Sequence, residues 1–183
     1  MDLSTVKARY GSLGDAYRLM SNSLTAGASQ IFLDIFNASG SNKVLVITGV
    51  QCLPRGDVAV TGAVAIELLL FRTSAVGTAG TAATADGSAT NAPTISKFDT
   101  GSPAVDSNIT ARRLPTGGAT SDDWLGQAFV FSEETSPAIY GVDNNDLLRG
   151  KCIAIKQGQG FAIRQGSVAS VNDYAFIVDF LLI

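Results

Sequence analysis

The clearest pattern in this chain lies near its C-terminal end. From position 172 onward, Tyr174, Phe176, Val178, Phe180 and Leu182 fall on one side of an extended backbone, and Asp173, Ala175, Ile177, Asp179 and Leu181 on the other. Strict period two over this length predicts a strand across 171–182 with one fully buried face. Residues 30–37 place Ile31, Leu33 and Ile35 on one face, while Phe32 and Phe36 flank Asp34 on the other. Both faces of that strand are therefore expected to be partly covered. A Gly/Ser/Asn turn at 38–42 leads into a second apolar run at 43–53, closed by residues 54–57. The run 58–71 is predicted as one long strand or a bulged pair, with Gly62 at the bulge. A helix over 63–70 is the competing reading; its β-branched neighbours and the lack of an N-cap favour strand.

Residues 74–92 consist almost wholly of Gly, Thr, Ala and Ser, with Asp86 the only charge. Such a segment buries too little to hold a core position, so it is expected as a long surface loop that gains order in an assembly. Short strands are expected near 94–98 and 107–112. Ser121, Asp122, Asp123 and Trp124 read as a capped helical turn, with both acids near its positive end. Alternation resumes over 125–131, and 144–148 reads as another turn. The final third reads as a meander: a strand at 151–156, a turn at Gln157 and Gly158, a strand at 160–165, a turn at 166–170, and the last strand.

The first residues differ. Val6, Tyr10, Leu13 and Tyr17 recur at helical spacing, yet Gly11 and Gly14 each weaken a helix there by about 1 kcal/mol. Residues 1–28 are therefore expected as an N-terminal arm with one helical turn, docking on a neighbour through those four side chains. Residues 29–183 form the remaining domain. Short strands, Gly punctuation and little helix predict an all-β fold: an antiparallel β-sandwich, jelly-roll-like, with short helical turns.

Composition sharpens this picture. A chain of 183 residues fits one domain plus an arm, and buries enough surface to need no metal or disulfide. Hydrophobic residues make up 46% and charged residues 16%, against a usual charged share of about 25%. Apolar surface with so few charges is expected to be hidden against other protein. The net charge is −3 and Arg112–Arg113 is the only adjacent basic pair, so no nucleic-acid partner is expected. Asp2, Lys7 and Arg9 stand at the N-terminus without an apolar run between them, which reads as no secretory signal. No stretch reaches the ~20 apolar residues of a membrane span, and no membrane partner is expected. Cys52 and Cys152 are expected as buried, reduced thiols.

The chain contains no histidine. That removes the usual general base and the commonest transition-metal ligand. Ser/His/Asp and Cys/His arrangements are excluded, as is a metal site of the cupin type. Two cysteines a hundred residues apart do not supply a zinc site, and Gly158-Gln159-Gly160 lacks the third glycine and following helix of a phosphate loop. Asp143-Asn144-Asn145-Asp146 offers oxygen ligands for calcium but without the alternating spacing or terminal Glu, and reads as a polar turn. The pairs Asp122–Asp123 and Glu133–Glu134 are sequence neighbours, poorly placed to face each other across a cleft. Arg55-Gly56-Asp57 spells the adhesion tripeptide, yet reads as turn chemistry after Pro54. Trp124, the only tryptophan, reads first as a plug in a core or an interface and second as a platform for a sugar. No catalytic residue, no metal site and no cofactor is assigned, and the chain is not expected to be an enzyme.

The run Ile153-Ala-Ile-Lys-Gln-Gly-Gln-Gly-Phe-Ala-Ile-Arg-Gln-Gly166, followed by Tyr174-Ala-Phe-Ile-Val-Asp-Phe180, resembles the C-terminal part of small β-sandwich virion proteins of tailed bacteriophages. Residues 30–36, the Gly/Ser turn and Lys43-Val-Leu-Val-Ile47 resemble the start of that sandwich. The resemblance runs over 28–183 in general order. It implies a structural role with no catalytic residue, most simply a decoration protein that stabilises the head from outside. The implied partners are the major capsid protein shell and further copies of the chain, with a homotrimer suiting local three-fold positions. The implied location is the virion, assembled in the host cytoplasm. Two alternatives stand beside it: a tail or fibre component, and a carbohydrate-binding sandwich that uses Trp124.

Overall fold

The computed structural model describes residues 4, 14–25, 27–55, 64–85, 92–117, 121–132, 146–168 and 173–183. They form thirteen strands: β1 (Asp15–Met20), β2 (Leu24–Thr25), β3 (Ile31–Asn37), β4 (Leu45–Arg55), β5 (Val64–Thr73), β6 (Thr81–Ala82), β7 (Thr84–Ala85), β8 (Thr94–Lys97), β9 (Ile109–Arg113), β10 (Ser121–Ser132), β11 (Ile153–Ile155), β12 (Gln159–Gln165) and β13 (Asp173–Leu182). Sheet A runs β11-β4-β13-β1-β8-β7, with β2 also on β13; sheet B runs β10-β5-β12-β3-β9-β6. The fold is an all-β antiparallel sandwich, as the periodicity predicts, with β7–β8 as the one parallel pairing among the described strands.

Eight of these strands carry the architecture. In chain order they are β1, β3, β4, β5, β10, β11, β12 and β13; sheet A takes the first, eighth, third and sixth, and sheet B the second, seventh, fourth and fifth. That interleaving of two Greek keys is the jelly roll. Between its fourth and fifth strands the chain inserts β6–β9, which widen both sheets along one edge: β8 lies beside β1 and β9 beside β3.

The core is the alternation made solid. Tyr174, Phe176, Val178 and Phe180 are all buried, and they meet Phe32, Leu33, Ile35, Leu68, Leu70, Phe161 and Ile163 from the facing sheet. Phe32 packs on Phe176 with ring centroids 5.3 Å apart, the tilted arrangement aromatic pairs favour. Arg72 ties the layers polarly as well, its Nη1 donating to the Ala154 carbonyl at 3.0 Å.

Four expectations are corrected here. The arm expected at 1–28 is chain interior from position 15 on: β1 lies between β13 and β8, pairing Tyr17 with Phe180 and Leu19 with Val178. Tyr17 and Leu19 are buried, Tyr17 stacks on Phe180 at 5.4 Å, and its hydroxyl donates to the Pro103 carbonyl at 3.1 Å. Helical spacing misled because the real signal, Tyr17 and Leu19 two apart, is only two positions long. Gly14 opens the strand at φ +63, where a Cβ would sit 2.0 Å from the Leu182 carbonyl oxygen, so glycine is required there rather than merely tolerated.

The second correction is the meander. β11 and β13 belong to sheet A and β12 to sheet B, so each turn crosses between layers instead of closing a hairpin. Period two reports that a strand has a buried face; it does not report which strand lies beside it. Third, residues 121–124 are the start of β10, not a helical turn. Trp124 sits opposite Phe71, and the pairing slips between Trp124 and Gly126, a bulge that lets twelve residues stay on one long strand. Fourth, the expected loop at 74–92 is partly strand: Thr81–Ala82 pairs with β9 and Thr84–Ala85 with β8. The run predicted over 58–71 is strand from Val64; Gly62 lies outside the described residues.

Candidate interaction surface

The alternation of β5 decides which side chains reach the outside of sheet B. Ile66, Leu68 and Leu70 belong to the core cluster, so Glu67, Leu69 and Phe71 point the other way. Register brings Phe129, Gln127 and Trp124 of β10 beside them, and Arg164 of β12 opposite Leu69. The result is one continuous surface. Phe71 is its buried floor: the Trp124 ring meets it edge-on at 5.5 Å and 80°, and the Arg164 guanidinium lies 4.4 Å over its face. A cation over an aromatic face is attracted by the ring quadrupole, so Arg164 is held flat rather than left mobile. Gln127 donates its side-chain amide to Glu67.

Two side chains on this surface are more than half exposed. Trp124 is 58% exposed and Phe129 60%. Both stand on β10, whose only strand partner among the described residues is β5. Exposed aromatics along the outer strand of a sheet are a recurring mark of contact with another chain. A smaller counterpart lies on sheet A, where Arg18 forms a two-pronged pair with Asp179 at 2.7 and 2.8 Å and lies over the half-exposed Phe98 at 4.9 Å.

The opposite edge is built differently. There Thr81–Ala85 crosses from sheet B to sheet A, with the Ala83 amide on the Ala111 carbonyl at 2.8 Å and the Thr84 amide on the Pro93 carbonyl at 2.9 Å. Just upstream, the segment 74–80 folds over the outer face of β3 and covers Asp34, which is 1% exposed. The Gly77 amide donates to Asp34 Oδ2 at 2.8 Å, while Oδ1 is buried and receives no hydrogen bond from the described residues. Burial pushes the Asp34 carboxyl up to about 6, against the opposing pull of the Gly77 amide and the Arg112 guanidinium.

The other residues singled out from sequence fall as follows. Val6, Tyr10 and Leu13 lie outside the described residues, and Tyr17 is core, so the four are not brought together as an exposed docking set. Asp146 Oδ1 accepts the Val50 and Leu148 amides and its Oδ2 the Gly150 amide; it staples a turn, while Asp143 lies outside the described residues. No group of three or more Asp, Glu or Cys among the described residues is placed to hold a metal ion. Arg112 and Arg113 donate to the Ala79 and Ser23 carbonyls, anchoring loops. Arg55 ends β4; Gly56, Asp57, Glu133 and Glu134 lie outside the described residues. Cys52 sits in the main core and Cys152 in a separate cluster with Val46. Sequence reasoning missed Asp34 as a special carboxylate, although its place between Phe32 and Phe36 in an apolar strand was the available signal. Compared with protein-family models, curated proteins and solved structures, the chain matches none.

Proposed function

We propose that this chain is a structural protein of a phage virion, of the kind that decorates the capsid shell, and that it acts by burying its own apolar edge against protein. The observation that carries the reading is β10, a twelve-residue outer strand bearing two exposed aromatics on a chain with only 16% charged residues. The jelly-roll order adds support, because capsid proteins, lectins and cupins use it, and a chain without histidine lacks the usual cupin metal ligands. Architecture alone does not assign function; the weight rests on the surface and on the sequence resemblance.

In this reading the partners are the major capsid protein shell and further copies of the chain, grouped as a trimer at local three-fold positions. The attachment segment shortens to the residues upstream of β1, with Val6, Tyr10 and Leu13 as its anchors, because Tyr17 is already part of the sandwich. Mixing purified protein with phage shells lacking it, then sedimenting the shells, tests the reading. Saturable uptake at a fixed copy number per shell is expected. Failure to bind shells, with recovery on tails or fibres instead, would assign the protein to those parts. A second reading has its own observation: Trp124 presents an exposed ring on the same face of the sheet as Gln127, whose amide donates to Glu67, as a sugar-stacking site would. Glycan-array binding abolished by Trp124→Ala would favour it.

A further inference from the structure

We propose that the segment 74–82 is a pH-sensitive latch over Asp34, closed above the neutral acid and loosened when the acid ionises. The inference stands apart from the virion reading. Its geometry is a carboxyl group shut beneath a strap of backbone. Among the described residues Gly77 supplies the single donor, to Oδ2, and a Cβ at Gly77 would lie 2.9 Å from that oxygen and 2.8 Å from Pro115 Cβ. Oδ1 is buried with no donor. A neutral acid tolerates this, whereas a buried carboxylate with one hydrogen bond carries a heavy desolvation cost.

The surroundings offer little relief. From β9, Arg112 is opposite Asp34, and its Nη1 is engaged by the Ala79 carbonyl of the strap at 3.2 Å. From β12, the residue opposite is Ala162, and Arg164, two positions on, lies over Phe71. On the strap side stand Gly77 backbone and Pro115. Arg112 is thus the one charged group facing the carboxyl from these elements.

The strap also has a built-in bend. Ala79 and Gly80 are both left-handed, at φ 55 and 64. A non-glycine residue in that conformation is strained, so the turn favours release once the Asp34 contact weakens. Lifting the strap lets water reach the carboxylate and returns the group to the ordinary acid range. Because the closed form holds the proton more tightly, acid closes the latch and rising pH opens it. The carboxyl, pushed up to about 6, places the transition just below neutrality.

Hydrogen exchange of the amides in 74–85, corrected for the intrinsic pH dependence of exchange, reads the latch directly. Protection is expected to fall by about tenfold between pH 5 and pH 8, the part of the roughly hundredfold allowed by a two-unit shift that lies above pH 5. Asp34→Asn, which keeps the shape without the charge, should hold the same protection at both pH values. Equal protection in the parent at pH 5 and pH 8 would overturn the proposal, as would an undiminished pH response in Asp34→Asn. Should that variant fail to fold, carbon-detected NMR titration of Asp34 in the parent decides instead. Titration near 6 supports the latch, and titration near 4 overturns it.

Discussion

The two long edges of this sandwich solve one problem in opposite ways. At the edge where β1 and β3 would otherwise end the sheets, β8 and β9 add a strand to each, and Thr81–Ala85 stitches across the gap. At the other edge, β11 is three residues long, while β10 runs for twelve with Trp124 and Phe129 exposed. An outer strand is a template for pairing and is normally covered, shortened or charged. One edge here is covered by the chain's own insertion. The other, among the described residues, keeps a long strand and shows Trp124 and Phe129, and in the proposed reading it is the surface that meets a partner.

Both edges depend on the same core, so the largest effect is expected there. Phe176→Asp would bury a charge against Phe32 of the facing sheet, at a cost on the order of 5 kcal/mol, comparable with the whole stability of a domain. Urea unfolding or circular dichroism should show no cooperative native state, and both edges should be lost together.

A second effect separates the edges. Asp34 has a raised pKa in the folded protein, from 3.8 to about 6. Its contribution to stability is therefore fully present below about pH 4 and is lost as pH rises through about 6. The size is about 3 kcal/mol if the whole shift is expressed. Denaturant midpoints measured from pH 4 to pH 8 should fall in the parent and stay flatter in Asp34→Asn, and the fall should track loosening of the covered edge.

Gly77→Val probes the same strap sterically. Its Cβ would meet Pro115 Cβ at 2.8 Å and Asp34 Oδ2 at 2.9 Å, so a loss of about 2 kcal/mol in urea unfolding is expected. Exchange should rise in 74–85 while β10 keeps its protection.

The smallest stability change belongs to the exposed edge. Trp124→Ser should cost within about 1 kcal/mol, because the ring already faces water over more than half its surface. Shell binding should nonetheless weaken at least about tenfold, the scale of an aromatic anchor at an interface centre. A large stability loss with unchanged binding would reverse the roles of the two edges.

The contrast between the edges was only half legible in the sequence. β13, β12, β4 and β3 announce themselves because each carries several apolar positions in period two, and that pattern has one physical source, a buried face. The jelly-roll class followed from them. Their neighbours did not, since Gln157–Gly158 reads as a hairpin whether the next strand joins the same sheet or the facing one. β1 was hidden because two inward residues, Tyr17 and Leu19, are outweighed by a chance helical spacing. Thr81–Ala85 was hidden for another reason: it carries no apolar pattern and is held by backbone hydrogen bonds to strands far away in sequence. On β10, Ser121 and two acids imitate a helix cap, and only pairing with β5 overrides them. The place of Trp124 on the outer strand follows only from the pairing of β10 with β5, which no local pattern carries.

The most direct test of the account compares hydrogen exchange in the protein alone and bound to capsid shells at one pH. Amides of β10 are expected to gain protection on the shell while those of β6–β9, held by the chain's own pairing, stay as they were. Protection gained over 81–113 with β10 unchanged would contradict it.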